Sequence, residues 1–483
     1  MASLTFFGGA GEIGGNKILL EDEDTKIYLD FGESFDFGEN YFLPEKHLNP
    51  RKADGLAPYF DLKLMPETKK LYSKDMLKHT KIKYEKPDID AIIISHHHSD
   101  HTNHLQYIDE SIPVYLGHGT KAIMDAYAHL YPTFGRYGDH VIKEYQSGDR
   151  IKIKKLTLKP THVEHSTPGA YGLNIERENG NITYTGDLRM HGQAAHMTQE
   201  FIQEAKKSSP AIMLCEGTRM TTEDEEENFT EEGVKNKVNE ILQDSKGLVF
   251  AHFAMSNIDR FRSIWEACCE NGRKLVVDPR YAYILNVLKE KISWVPDPQE
   301  ELSLYYRLNS KGGWDEQPYE NVWKRYYGPP LGDEWFNTTR NGKKRRKNRM
   351  WRCEGDMCAN NLTYKRIKEN PTDYVLFTNF TRLVEISHIK PVKADYIYSS
   401  SEHFLEGEEN KQMKTVMANW LTHYDIKLHK AHCSGHAAAP DLKKMIKKIK
   451  PDTLIPIHTL NPQGFRDIHD NVVIPEKEQR MEI

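Results

Sequence analysis

The stretch Ile92-Ile93-Ile94-Ser95-His96-His97-His98-Ser99-Asp100-His101 decides how this chain reads. An apolar run too short for a helix is expected to form a buried strand ending at Ser95. Four imidazoles and a carboxylate then follow at its C-terminal end. The pattern His96-x-His98-x-Asp100-His101 offers three borderline-soft nitrogens and one hard oxygen, the mixture that suits zinc. Alternate residues His96 and His98 can converge on one ion, while Asp100 and His101, just past the bend, can face a second. The competing reading is a solvated histidine loop or a stray polyhistidine. A tag would be terminal and would lack the acid.

Working outward, further donors recur where short strands end. Pro160-Thr-His-Val-Glu-His165-Ser-Thr-Pro168 carries His162 and His165, and His165 is favoured because Ser166 and Pro168 build a turn that fixes it. It would complete a set with His96 and His98. Asp187, closing Ile182-Thr-Tyr-Thr-Gly, is placed to bridge two ions, and His458, after Leu454-Ile-Pro-Ile, would join Asp100 and His101. Each residue alone would more often be structural; their joint recurrence carries the assignment. Two zinc ions about 3.5–4 Å apart could acidify a shared water to near neutrality.

Other segments suggest phosphate. In His432-Cys-Ser434-Gly435-His436, Gly435 permits a tight approach and His436 lies near a helix opened by Pro440, whose N-terminus favours anions. Glu216, at a strand end, could orient His436 or be an ordinary buried carboxylate. Ser256 and Asn257 precede a helix with Arg260 and Arg262, where free amides could take another phosphate; capping explains Ser256 equally well. The run Lys343–Arg349, with Cys353 and Cys358 beyond it, could grip RNA backbone or simply be solvated.

The bulk numbers bound the class. At 483 residues the chain exceeds one ordinary core, and 38% hydrophobic with 28% charged residues describes a soluble globular protein. No apolar run reaches the ~18 residues of a membrane span, and the N-terminus lacks a basic, then apolar, leader. Six scattered cysteines fit a reducing cytoplasm rather than a disulfide framework. A net charge of −5 decides little about nucleic acid, since a local basic groove would be hidden in it.

Gly9–Gly14 matches the G-x-G-x-x-G dinucleotide fingerprint, but a hairpin follows where that motif needs a helix. The glycines are better read as letting backbone approach the metal loop. Residues from Glu33 to about Lys86 join two strands at unusual length, which suggests a loop covering a site. From residue 208 onward, strand and helix alternate. Gly247–His252, a helix over Asn257–Asn271 with Ser256 as its N-cap, and Arg273–Val277 form a βαβ unit, with Gly272 as the C′ residue.

Together these motifs resemble the β-CASP branch of the metallo-β-lactamase superfamily, and within it the ribonuclease J group. The glycine turn Gly8–Asn16, Asp30 in Tyr-Leu-Asp-Phe-Gly, the His96–His101 loop, His165-Ser166 and Thr185-Gly-Asp-Leu-Arg189 are similar to the metallo-β-lactamase motifs, in order. Glu216, His436 and His458 resemble the three motifs that define β-CASP enzymes, and Ser399-Ser-Ser and Ser434-Gly-His-Ala437 resemble ribonuclease J. The resemblance implies an αββα sandwich from residues 1–208 and 393–483, with an inserted α/β β-CASP domain over 209–392. It also implies hydrolysis of single-stranded RNA, exonucleolytic from the 5′ end or endonucleolytic.

Three departures stand out. Thr378-Asn-Phe-Thr-Arg382 occupies the place of the group's glycine- and serine-rich phosphate segment, which predicts weak dependence on a 5′-monophosphate. The chain runs only to Ile483 after His458, so a short form without the C-terminal domain is expected, and whether it forms a homodimer stays open. The segment 340–360 has no counterpart in the group.

The expected protein is thus a cytoplasmic, two-zinc ribonuclease, with manganese as the alternative metal. Its ligands would be His96, His98, Asp100, His101, His165, Asp187 and His458. Catalysis would use Asp100, Asp187, His436 and Glu216, and substrate would meet Ser256, Asn257, Ser434 and Gly435. A DNA nuclease, a lactone or ester hydrolase, or a non-catalytic RNA-binding subunit are the alternatives.

Overall fold

The structure, a computed structural model, describes residues 2–42, 52–131, 137–220, 229–298, 300–305, 307, 338–340, 343–345, 361–401 and 411–483. These fall into two compact units, residues 1–228 with 435–483, and residues 229–434.

The decisive apolar run forms the strand Ala91–Ile94, buried along its whole length. Side chains alternate across a strand, so a continuous apolar run needs cover on both faces. Ala91 and Ile93 face a core shared with Leu4, Ile18, Ile27, Leu158, Leu173 and Ile455, whereas Ile92 and Ile94 join Tyr28, Phe31, Phe60 and Leu105 on the opposite side. Each fully buried Ile or Leu contributes roughly 1.5–3 kcal/mol of transfer free energy.

The first core lies between two sheets. One has the order Arg480–Glu482, Ala2–Gly8, Lys17–Asp22, Thr25–Leu29, Ala91–Ile94, Val114–Gly117, Ile142–Tyr145. The other runs Thr453–Ile457, Ile212–Glu216, Ile182–Tyr184, Tyr171–Glu176, Leu156–His162, Ile151–Ile153. Helix Ala195–Ser208 packs Phe201, Ile202 and Ala205, and helix Ala439–Ile449 packs Leu442, Met445 and Ile446, against the outward Met213 and Cys215 of the second sheet. Met124 of helix His118–Leu130 packs on the outer face of the first. This is the αββα sandwich.

The second unit holds a seven-stranded sheet in which every pairing is parallel. Helices between successive strands, such as Ile258–Glu270 between Val249–His252 and Lys274–Val277, supply the crossovers that parallel pairing requires. The βαβ expectation is met with one change: the N-cap is Asn257, whose side chain accepts from Arg260 N at 2.9 Å, not Ser256. At the other end Gly272, at φ +65°, closes a Schellman motif, with Arg273 N donating to Cys268 O.

The boundaries differ from the expected insert of 209–392. The strand Ile212–Glu216 pairs with Thr453–Ile457 of the sandwich, which carries the first unit past residue 209. At the far end, Asp395–Tyr398 pairs with Val249–His252 and Lys427–Lys430 extends that sheet, so residues 393–434 stand with the second unit. Strand–helix alternation looks alike in both units, and only the pairing partners separate them.

The long connection between Thr25–Leu29 and Ala91–Ile94 also differs from a simple loop over a site. Leu56, Phe60, Met65, Leu71, Tyr72 and Leu77 are buried on the outer face of the first sheet. Its opening residues run beside the histidine loop, where Glu33 N donates to Ser99 O at 3.1 Å. The acidic run Glu223–Glu227, Cys353, Cys358 and most of the basic run lie outside the described residues; within that run Lys343–Arg345 pairs with Thr338–Arg340 as an antiparallel hairpin.

Candidate metal centre

At the C-terminal end of Ala91–Ile94 the chain turns into a short helix, Ser99–Thr102, which buries Asp100 and His101. The glycine turn makes this possible. Asn16 N donates to Asp100 O at 3.1 Å and His458 N to Gly9 O at 2.8 Å. A Cβ on Gly14, at φ +80°, would stand 2.8 Å from Asp100 Cβ, and one on Gly32 would lie 1.7 Å from Asp100 O. Close backbone approach, not dinucleotide binding, is therefore what the glycines provide.

Three overlapping groups of donors meet here, all in the first unit: His96, His98 and His165, then Asp100, His101, Asp187 and His458, and a third in which His436 joins His165 and Asp187. In the first, His98 Nδ1 lies 3.0 Å from His96 Nε2 and 3.1 Å from His165 Nε2. The proton positions follow from the far side of each ring. Ser95 Oγ donates to Asp30 Oδ2 at 2.7 Å, so it can only accept from His96 Nδ1–H at 3.1 Å; His165 Nδ1–H donates to Gly435 O at 2.6 Å. Both Nε2 atoms are left with bare lone pairs aimed at the same point. Burial, aided by the neighbouring imidazoles, pushes His96 and His165 well below the usual histidine range, and burial brings His98 to about 4. Neutral imidazoles with converging lone pairs are a donor set in want of a cation.

In the second group His458 Nε2 stands 3.0 Å from Asp100 Oδ2 and His101 Nε2 3.1 Å from Asp187 Oδ2. Burial resists ionisation of both carboxylates, but His458 and His101 outweigh it at Asp187, and His101 followed by His458 at Asp100, so both are held well below the usual range. Asp187 Oδ2 also lies 3.7 Å from His96 Nε2 and 3.7 Å from His458 Nε2, between the two groups. Its Oδ1 is buried with no hydrogen-bond partner among the described residues. The donor chemistry and this orphaned oxygen fit divalent metal.

Hydrogen bonds from behind aim the rings. Asp30 Oδ2 accepts from His101 Nδ1–H at 2.7 Å, while its Oδ1 accepts from Ser95 N at 2.6 Å. Thr218 Oγ1 meets His458 Nδ1 at 2.8 Å. Asp30 and His458 both adopt left-handed backbone, at φ +58° and +52°, which turns each side chain inward off its strand end at a cost of roughly 1–3 kcal/mol apiece. Asp30 was visible in the sequence only as part of a motif, and nothing marked Ser95 or Thr218. A second strand-end aspartate after an apolar run, like Asp187, was the available signal for Asp30.

His436 lies beside the first two groups, its ring 5.1 Å from that of His165 and 5.7 Å from that of His458. Its Nδ1 is 3.2 Å from Glu216 Oε1 and 3.9 Å from Asp187 Oδ2. Burial opposes its protonation, but Glu216, then Asp187, carries it up to about 9. Glu216 is fully buried; its Oε1 accepts from Leu188 N at 3.0 Å and its Oε2 from Thr218 N at 3.1 Å. One carboxylate thus orients His436 and, through Thr218, the ring of His458.

The remaining expectations divide. His162 pairs with Ser147 Oγ at 3.0 Å, outside both donor groups, and His97 turns away to Thr167 Oγ1 at 2.9 Å. Gly435 meets His165 through its carbonyl, and an added Cβ would stand 3.2 Å from Ser166 Oγ. Ser256, Asn257 and Ser434 belong to the second unit, where Asn257 is engaged in capping. On the helix that follows, Arg260 is fully buried against Glu231.

Residues 69–230 match the family described as a beta-lactamase superfamily domain, and residues 424–463 match the Zn-dependent metallo-hydrolase RNA specificity domain. The chain carries a metallo-β-lactamase domain. Together the two matches span the histidine loop, His165, Asp187, Glu216, His436 and His458. Among curated proteins, the chain is 21% identical over 459 residues to ribonuclease J of Mycoplasma pneumoniae, covering 94% of this chain and 67% of that one. It is 22% identical over 464 residues to ribonuclease J of Helicobacter pylori strain J99, covering 94% and 55%. With ribonuclease J2 of Bacillus subtilis it shares 21% over 374 residues, covering 77% and 58%. The chain therefore spans between 55% and 67% of the length of these three relatives. Around the metallo-β-lactamase domain, a solved protein of unknown function from Enterococcus faecalis V583 shares the whole fold, with a TM-score of 0.71, 23% identity and 99% of each chain covered.

Proposed function

We propose that this protein is a metal-dependent ribonuclease of the β-CASP type, hydrolysing phosphodiester bonds in single-stranded RNA, with two zinc ions, or manganese in their place. The observation that carries the reading is Asp187 Oδ2, within 3.7 Å of His96, His101 and His458 and so shared by both donor groups. His96, His98 and His165 would hold one ion and Asp100, His101 and His458 the other, with Asp187 between them. The ions, when bound, supply a nucleophile at neutral pH and positive charge facing the phosphate oxygens.

The chain's own residues do the rest. Asp30, Ser95 and the Gly435 carbonyl set which ring nitrogen of His101, His96 and His165 faces the site, and Thr218 orients His458. Glu216 holds His436 protonated at Nδ1, and that ring can offer charge to a phosphate oxygen and a proton to the leaving oxygen. We assign the β-CASP role to the unit of residues 229–434, and the match at 424–463 and the ribonuclease J relatives support RNA as the polymer. Among the described residues no helix is long and apolar enough to cross a membrane, and Cys215, Cys268 and Cys269 form no disulfide, in keeping with a reducing compartment.

The test is cleavage of end-labelled RNA and of matched single-stranded DNA, with and without chelator. RNA products that vanish on chelation are expected. Cleavage of DNA in preference to RNA would move the assignment to a DNA nuclease, and hydrolysis of neither would contradict it.

A further inference from the structure

Phe35 is 57% exposed, yet the backbone that carries it is tied down on both sides. Gly32 N donates to Asn16 O at 3.0 Å, Glu33 N to Ser99 O at 3.1 Å and Phe37 N to Ser34 O at 3.1 Å, and Ser34 forms a β-bridge with Gly14. The ring stands beside the metal centre. Its Cδ2 lies 3.1 Å from the point where a Cβ on Gly14 would be, and Asp100 Oδ2 lies 3.2 Å from that same point. A second exposed apolar side chain, Leu460 at 66%, follows His458 by two residues, and His458 Nε2 is 3.0 Å from Asp100 Oδ2. Isolated apolar side chains on a surface are ordinary. An aromatic ring held out on a pinned arm beside a polar, buried donor cluster is less ordinary, because its exposure costs apolar surface that the arm makes no use of.

From this we infer that Phe35 is a base-stacking platform, taking the nucleobase attached next to the phosphate that sits at the Asp100–His458 edge. The inference rests on the ribonuclease reading and adds a subsite to it. Every base has a π-face, so stacking on an aromatic ring holds single-stranded nucleic acid without demanding a sequence. Because the arm is already ordered, binding pays little to immobilise it. The phosphate is then located from two sides, by charge at the metal centre and by its own base on Phe35.

The test compares wild type, Phe35→Leu and Phe35→Trp in the metal-loaded full chain. Binding of a short single-stranded RNA with a non-hydrolysable linkage is read by fluorescence anisotropy. The same RNA with an abasic residue on either side of that linkage is the second probe, and metal content is measured on each variant. Phe35→Leu should weaken binding of the base-bearing RNA by roughly 5- to 150-fold, the range for loss of one stacked base. It should leave the abasic RNA and the metal content unchanged, and Phe35→Trp should restore wild-type binding. Equal affinity of wild type and Phe35→Leu for the base-bearing RNA would overturn the platform, as would an equal loss on the abasic RNA or a loss of metal. Binding is read apart from cleavage, so a wild-type protein that binds RNA but does not cut it contradicts the ribonuclease reading without deciding Phe35.

Discussion

The Asp30 carboxylate stands 2.7 Å from His101 Nδ1, and this contact decides that the other nitrogen of the ring, Nε2, is the one facing Asp100 and Asp187. A carboxylate only accepts, so the proton on Nδ1 is fixed, and Nε2, where Asp187 and Asp100 otherwise favour a second proton, is the nitrogen that would give that proton up to meet a metal. Asp30→Asn keeps an acceptor for Ser95 N and tolerates the left-handed backbone, but no longer draws that proton with a full charge. Zinc affinity, read by competition with a chromogenic chelator, should fall about 10- to 100-fold. Unchanged affinity would mean that the contact is structural only.

His458 and His436 should separate under mutation. His458 Nε2 points into the second donor group, while His436 lies against Glu216 and only skirts Asp187. His458→Ala should lose at least part of one metal equivalent by mass spectrometry. His436→Ala should keep its metal and turn over about 10²–10⁴-fold more slowly, the loss expected for one general acid. Metal loss in His436→Ala but not in His458→Ala would exchange the two roles.

Dependence on a 5′-monophosphate should be weak. Arg382, the cation of the segment Thr378-Asn-Phe-Thr-Arg382, is ion-paired with Asp278 and covers the Phe377 ring at 4.9 Å, and Asn257 is engaged in capping. RNAs with 5′-phosphate and 5′-hydroxyl ends should be degraded at comparable rates. A strong preference for the phosphate, lost on changing Ser256 or Asn257, would contradict this.

Arg260 should matter for stability. Both it and Glu231 are fully buried, and its guanidinium also reaches Ser399 O at 2.8 Å and Cys433 O at 3.1 Å. Removing one partner of such a pair leaves the other charge uncompensated, so Arg260→Ala should cost about 3–5 kcal/mol in denaturant unfolding. A loss within the scatter of surface substitutions would mean that Glu231 finds another partner.

The sandwich and most of the site were legible because each signal was local. An apolar run followed by donors at alternating positions places His96 and His98 together whatever the rest of the chain does. His165, Asp187 and His458 each follow a strand within three residues. What escaped were contacts set by pairing across the fold. Thr218 meets His458 only because Ile212–Glu216 lies parallel to Thr453–Ile457. The second unit reaches to residue 434 because Asp395–Tyr398 adds to the edge of Val249–His252, and no residue type in either strand announces that choice. The burial of Arg260 against Glu231 likewise has no signature in sequence.

The most direct test of the central claim is a metal titration. The protein is stripped with chelator, shown metal-free by mass spectrometry, and returned to activity against single-stranded RNA with measured equivalents of zinc or manganese, alongside Asp187→Asn. Cleavage should be absent without metal and complete at two equivalents, and Asp187→Asn, lacking the charge shared by both donor groups, should stay inactive. Full cleavage by the metal-free protein, or by Asp187→Asn, would contradict the account.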